Sequence, residues 1–373
     1  MSRPIRVTLD PIHFPYMDYF EWFIFGLQWL HDAGEIEFTL RTTTTTPPFR
    51  LHAKAAPAVR RVFPGLMDAL SRGSGAILTG QVEVAGKKQR FVLDLADSPY
   101  LFQVDLLLEN DLYFKAQCPT TFDARGFPIA VDAFVPYHPD VLSYQHRIRP
   151  AMLGRPLSRT LNQRQNNRIL ESWRQAGRGV KDLALFAYFG TDTGLNHGPE
   201  GVVMQRFGDK VSHPNLKRGL LVEGMRARYP RQADARILTT EHAARRGVKI
   251  SDARYPQAVG RTWHNINISG FRRSLPFRFI DSFLTGASVP ADALALRWYE
   301  PFEMGTEVTD LGPLGYERED AVDWPHVWQT LDRLHDEPLA VRQERQARIN
   351  ERFERFWHPR SFARYLVTAC LPE

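Results

Sequence analysis

Three arginines and an aspartate lie close together late in the chain: Arg272, Arg273, Arg278 and Asp281, within the stretch YPQAVGRTWHNINISGFRRSLPFRFIDSFLTGASVPAD (255–292). Arginine holds phosphate or carboxylate through a planar fork of donors and keeps its charge, so this spacing suits an anionic ligand. A second group sits near the start, where Asp10 and His13 follow a β-rich run. A neutral imidazole titrates near working pH, and a nearby carboxylate can orient it or take the proton itself. Glu109 and Asp111 are second-choice bases, and His138 and His197 lie in loops. The plainer alternatives stand beside these. Arg272 and Arg273 would be a solvated loop, and Arg278 with Asp281 an i,i+3 helix pair worth about 0.2–0.5 kcal/mol. Asp10 would only cap the turn before Pro11, with His13 exposed.

The elements that must position these groups follow from hydrophobic periodicity. Trp263 to Gly270 reads as an apolar strand, followed by a basic loop at Arg272 and Arg273. An amphipathic helix then opens near Ser274-Leu275-Pro276, with Phe277, Ile280, Phe283 and Leu284 on one face. It stops at Gly286, and a second apolar strand starts at Ala287. Arg278 and Asp281 are thereby expected at a strand-to-helix opening, where backbone N–H groups favour a bound anion. At the other end of the chain, Ile5–Leu9, Tyr16–Ala33 and Ile36–Thr46 read as strand, helix and strand. That is a βαβ unit, which predicts a parallel sheet.

Between these regions, a helix is expected near Val59–Leu70 and strands at Ala76–Val84, Phe91–Leu95 and Asp105–Leu108. Asp123–Ser143 reads as irregular. Arg147–Gly179, basic and polar, reads as an interdomain region. A second α/β unit opens with LALFAYFG after Asp182, followed by a helix over His213–Tyr229 and a strand near Ala235–Thr239. The tail from Trp324 to Cys370 is helical, with Val327, Leu331 and Leu334 on one face and Ile349, Phe353, Phe356 and Trp357 on another.

Composition bounds the class. The chain has 373 residues, 43% hydrophobic and 24% charged, as expected of a globular protein of one large or two ordinary domains. Only eight lysines occur among the 48 basic residues, and the net charge is +6. Charge of this size bears on solubility and non-specific binding more than on activity. Two distant cysteines, Cys118 and Cys370, fit neither a disulfide framework nor a zinc site and suit a reducing compartment. No secretory leader opens the sequence, and the longest apolar run, Trp22–Leu30, is too short for a membrane span. The expectation is a cytoplasmic protein. No GxxxxGK[ST], GxSxG, HExxH or paired CxxC motif occurs.

The layout Asn–x–Ser–Gly (267–270), loop, Arg278, Asp281, Gly286, Asp292 resembles the donor half of GT-B glycosyltransferases, with exostosin-like and related bacterial polysaccharide enzymes as the nearest type. Trp298-Tyr299-Glu300-Pro301-Phe302, Asp320 and a long C-terminal helix match the same layout, so the resemblance covers roughly 180–370. It implies two Rossmann-like α/β/α domains facing a cleft: an acceptor-side domain over 1–175 and a donor domain over 176–340. A helix over 341–373 would cross back to the first domain. It implies a metal-independent transfer of a sugar from a nucleotide-sugar donor to a glycan, polysaccharide or glycolipid acceptor, with no cofactor beyond that substrate. Gly270, Arg272, Arg273 and Arg278 would hold the diphosphate, Asp281 a donor hydroxyl, and His13 or Asp10 would serve as base. The sequence departs from the commonest retaining pattern of two Glu eight residues apart, since Asp281 and Val289 occupy those places. Stereochemistry, donor and acceptor stay open. The acceptor class adds peripheral association with the inner face of the membrane. A basic nucleic-acid- or membrane-surface-binding protein without catalysis is the alternative, motivated by a pI near 9.3. Nucleic acid is the less favoured partner, because the aromatics are not interleaved with the basic residues at a stacking surface.

Overall fold

A computed structural model describes residues 4–10, 17–41, 76–96, 103–119, 143–158, 161–191, 205–207, 210–212, 214–239, 254–268, 274–292, 294, 296–312, 314 and 322–371. Strand β1 (Arg6–Leu9) leads to helix α1 (Met17–Asp32), and β2 (Glu37–Leu40) returns parallel to β1, as the sequence predicts. Phe20, Phe23, Ile24, Leu27 and Leu30 of α1 are all buried at helical spacing. Strands β3 (Ile77–Val84) and β4 (Lys87–Asp94) form a hairpin around Ala85 and Gly86. Both turn residues have positive φ, 54° and 85°, the two-residue turn whose twist matches that of the flanking strands.

Helix α2 (Val104–Glu109) precedes β5 (Leu112–Lys115), β6 (Cys118–Pro119) and β7 (Ile148–Pro150). Asp105–Leu108, expected as a strand, is therefore helical, and the strand is the next run, Leu-Tyr-Phe-Lys. Short apolar runs do not reveal their period, and β5, buried at every position, reads no differently from its neighbour. The first sheet has the order β2-β1-β3-β4-β5-β7. All of its strands point one way except β3, which runs antiparallel to both β1 and β4. The first unit is thus a mixed, parallel-rich sheet.

Helix α3 (Gln163–Arg178) occupies the second half of the expected interdomain region. The Asn162 side chain caps it by accepting from the Gln165 N–H, and it buries Leu170, Trp173 and Gly177. Its polar composition hid one packed stripe.

The second sheet is built from β8 (Leu183–Thr191), β11 (Ala233–Thr239), β12 (Thr262–Asn265), β13 (Val289–Ala291) and β15 (Val308–Asp310). A short hairpin, β9 (Gln205–Phe207) with β10 (Lys210–Ser212), and helix α4 (Pro214–Arg228) connect β8 to β11. Helix α5 (Tyr255–Gly260) precedes β12, helix α6 (Arg278–Leu284) precedes β13, and β14 (Leu296–Arg297) falls between β13 and β15. Strand β8 pairs in parallel with β11 on one side and β12 on the other. Parallel bridges His264–Ser288 and Asn267–Ala291 carry β12 on to β13, which pairs with β15. The spatial order is therefore β11-β8-β12-β13-β15, a doubly wound parallel sheet whose winding reverses between β8 and β12. Strand β8 is apolar throughout because both faces are covered. Leu185, Ala187 and Phe189 join the core with Leu221 and Leu331, while Phe186 and Tyr188 join the other core.

The expected amphipathic helix is short and buried on all sides: Phe279, Ile280, Asp281, Ser282, Phe283 and Leu284 are all inaccessible, and Phe277 stands outside the helix, exposed. A helix placed at the centre of the molecule has no solvent face. Phe279 and Phe283 pack against Trp298, Phe302 and, for Phe283, Trp357.

The tail comprises α7 (Trp324–His335), α8 (Leu339–Arg352), a π turn over Phe353–Trp357 and α9 (Pro359–Ala369). Helix α9 packs on α1 so closely that a Cβ at Gly26 would lie 2.6 Å from the Pro359 carbonyl carbon. Trp22 Nε1 donates to the Trp357 carbonyl at 3.2 Å, and the Tyr365 hydroxyl donates to Pro150 O at 2.9 Å.

Candidate functional site

The carboxyl ends of the two sheets meet. Gln117 lies just past β5 in the first sheet, and its side-chain amide engages the backbone of Leu275 in both directions. Nε2 donates to Leu275 O at 3.1 Å, and Oε1 accepts from Leu275 N at 2.9 Å. Leu275 belongs to the segment between β12 and α6, beyond the carboxyl end of the second sheet. Strand β14 pairs antiparallel with β6 across the same junction. Arg155, which follows β7, stacks its guanidinium 4.0 Å from the Trp173 ring centre and brings Nη1 to 3.4 Å from Asp281 Oδ1.

Two arginines occupy the point where the second sheet reverses its winding. Arg278 directs Nε and Nη2 at Asn267 Oδ1, at 3.1 and 2.9 Å. Arg218, in the first turns of α4, donates from Nη2 to Ile268 O at 3.1 Å. Both guanidinium groups lie beside Phe189 near the end of β8, at 5.5 Å for Arg218 and 5.9 Å for Arg278. Burial brings Arg218 down to about 9, the Arg278 charge pushes the same way, and Asp292 at the end of β13 opposes both. Two guanidinium groups gathered at one edge, with Asp292 and Asp281 beside them, bring donors together that suit an anion.

Asp281 sits between Arg278 and Arg155. Burial raises its carboxyl to about 6, against the lowering influence of both arginines. Its ion pair is with Arg155, from the first unit, while the Arg278 fork engages Asn267. Tyr255 is held well above its ordinary range by burial and by the neighbouring Asp281 charge.

Asp10, at the end of β1, accepts from Thr79 Oγ1 at 2.7 Å and pairs with Arg41 at 3.3 Å. Those contacts stay inside the first unit. His13, Gly270, Arg272 and Arg273 lie outside the described residues, as do His138 and His197. Glu109 and Asp111 precede β5 instead of following a strand, so they stand at the amino edge, away from the junction. There the Arg90 N–H donates to Asp111 Oδ2 at 2.7 Å, and the Arg90 guanidinium reaches Glu109 O. Neither is placed to act as a base at the junction.

Four residues of this constellation carried no role in the sequence: Gln117, Arg155, Arg218 and Asn267. Arg218 had a signal in its place after β8, at the start of the connecting helix. Asn267 stands inside the Asn–x–Ser–Gly layout. Arg155 and Gln117 had none, because their partners are distant in sequence. Among the described residues no cluster of three or more His, Cys, Asp or Glu has metal-ligating proximity, and no helix is long and apolar enough to cross a membrane. Both cysteines are free and buried.

No protein-family model and no curated protein sequence matches the chain. Among solved structures, one similar chain is Anabaena Alr3699/HepE, crystallised in complex with UDP and glucose. The two are 11% identical over 88% of this chain and 87% of that one, with a TM-score of 0.27. A likeness of that size carries no weight for fold or activity.

Proposed function

We propose that this chain is a glycosyltransferase that moves a sugar from a nucleotide-sugar donor to a hydroxyl of a glycan, polysaccharide or glycolipid. The supporting observation is the placement of Arg218 and Arg278 together at the winding reversal of a parallel sheet, beside Asn267 and Asp292, where a second parallel-rich sheet abuts. Ligands of such sheets bind outside the carboxyl ends at that point. A departing diphosphate needs fixed positive charge, and two guanidinium groups supply it without a metal. Residues 1–175 would form the acceptor side and 176–340 the donor side in a GT-B arrangement, with 341–373 returning to the first. Gly270, Arg272 and Arg273 would complete the diphosphate site. Asp281 would face a donor hydroxyl.

In the transfer, the acceptor oxygen bonds to the anomeric carbon and the bond to the diphosphate breaks. The hydroxyl proton passes to His13 or Asp10, which follow β1 in the sequence. The protein would act in the cytoplasm or against the inner face of the membrane.

A panel of nucleotide sugars incubated with the purified protein, read by mass spectrometry for release of nucleoside diphosphate, tests this. Hydrolysis or transfer with one donor, together with a thermal shift by the matching nucleoside diphosphate, supports it. No nucleotide effect beside tight binding of an oligonucleotide, or of anionic vesicles, would replace it with the non-catalytic alternative.

A further inference from the structure

Asn267 is 2% exposed and continues the register of β12 onto β13, its backbone N–H donating to Pro290 O at 2.8 Å. Its side-chain oxygen accepts from both Nε and Nη2 of Arg278, at 3.1 and 2.9 Å. Arginine offers no acceptor, so the amide has only one orientation: the oxygen faces Arg278 and Nδ2 faces away. Nδ2 is buried and, among the described residues, has no hydrogen-bond partner. A buried amide with an unused donor is rare in native proteins, and it marks a place where something else accepts. The adjacent carbonyl, Ile268 O, is already taken by Arg218. Of the acidic groups at this edge, Asp292 acts on Arg218 and Asp281 interacts with Arg278. Two guanidinium groups, Arg218 and Arg278, thus lie beside Asn267, with the buried carboxylates of Asp292 and Asp281 acting on them, and Nδ2 adds a donor that an acceptor bound at this edge can use.

We infer that Asn267 has two tasks in the bound state: Oδ1 fixes the Arg278 fork, and Nδ2 donates to a phosphoryl oxygen of the same ligand. The inference rests on reading this edge as a diphosphate site and adds to it a positioning residue that also contacts the anion. One planar amide would set the angle between guanidinium and phosphate. A lysine in place of Arg278 could not use it, having no fork.

Calorimetry with inorganic pyrophosphate tests this on the full chain. Asn267→Asp keeps oxygens for Arg278 and replaces the donor with a second oxygen that repels the anion. It is expected to bind pyrophosphate at least about tenfold more weakly, the loss of a charge-assisted hydrogen bond, with its unliganded melting temperature close to wild type. Arg278→Ala serves as the control for the site. Weakening by Arg278→Ala with wild-type affinity in Asn267→Asp overturns the role of Asn267 and leaves the site standing. Absence of pyrophosphate binding by the wild-type protein overturns both. Should Asn267→Asp fail to fold, the side-chain NH2 resonance of Asn267 in wild-type protein labelled with 15N-asparagine decides. A shift on adding pyrophosphate supports the contact, and an unmoved resonance overturns it.

Discussion

Arg155 and Asp281 face each other at 3.4 Å across the junction of the two sheets, and among the described residues neither Arg155 Nη1 nor Asp281 Oδ1 has a hydrogen-bond partner. The contact is Coulombic and lacks the fork geometry that makes such pairs strong. Its carboxylate is consequently underpaid for its burial, which explains why the proton is held to about pH 6.

That imbalance gives a pH signature. The folded-state value, about 6, lies above the ordinary 3.8 of the unfolded chain, so the folded state binds the proton more tightly. Stability from this group is complete below about pH 4, falls as pH rises to about 6, and is flat beyond, a loss on the order of 3 kcal/mol. Asp281→Asn removes the dependence. Urea midpoints of wild type and variant, compared at about pH 4.5 and about pH 7.5, should move in favour of the variant at the higher pH. A constant difference between them would show that Asp281 does not titrate there.

Asp94 and Lys115 form a fully buried ion pair at 2.9 Å at the ends of β4 and β5, and the Tyr113 hydroxyl donates to the same Asp94 oxygen at 2.7 Å. Lys115→Met leaves that carboxylate without its counter-charge and should destabilise by about 3–5 kcal/mol in chemical denaturation. Asp94→Asn added to Lys115→Met should recover a large part of the loss. Equal losses in the single and double variants would mean that packing around Lys115, and not the charge, is what matters.

Gly26→Ala pushes a methyl toward backbone at Pro359 and to within 2.8 Å of Ala363 Cβ. Neither helix backbone can move aside cheaply, so a destabilisation of about 3 kcal/mol is expected, at the upper end for overpacking. A melting temperature within a few degrees of wild type would show that α1 and α9 part easily.

His13→Ala should lower turnover about 10²- to 10⁴-fold with donor affinity unchanged, if the imidazole takes the acceptor proton. Full activity in His13→Ala with loss in Asp10→Asn moves the role to the carboxylate. Full activity in both variants removes both residues from the chemistry.

What could be read from sequence was local. The βαβ unit of β1, α1 and β2 followed from the spacing of Phe20, Phe23, Leu27 and Leu30, and β8 from its unbroken apolar run. Asp105–Leu108 was misread because four apolar-rich residues have no measurable period. The buried stripe of α3, Leu170 and Trp173, was lost among the charged residues around it. At the site, Arg278 and Asp281 stood out through their spacing. Arg155, Gln117 and Arg218 did not, since pairings such as Gln117 with Leu275, 158 positions apart, leave no trace in a single sequence.

The packing of α9 on α1 also governs how the chain is made. Trp22 donates to the carbonyl of a residue 335 positions later. At the usual rate of synthesis, roughly 15–70 s separate the emergence of the two partners from the ribosome. Throughout that interval Phe23 and its neighbours on α1 lack the surface contributed by Phe362, against which Phe23 packs at 5.7 Å in the finished fold. The contact between α1 and α9 is therefore among the last parts of the first unit's core to form during synthesis. Until α9 emerges, the aromatic face of α1 to which Phe23 belongs goes without that cover.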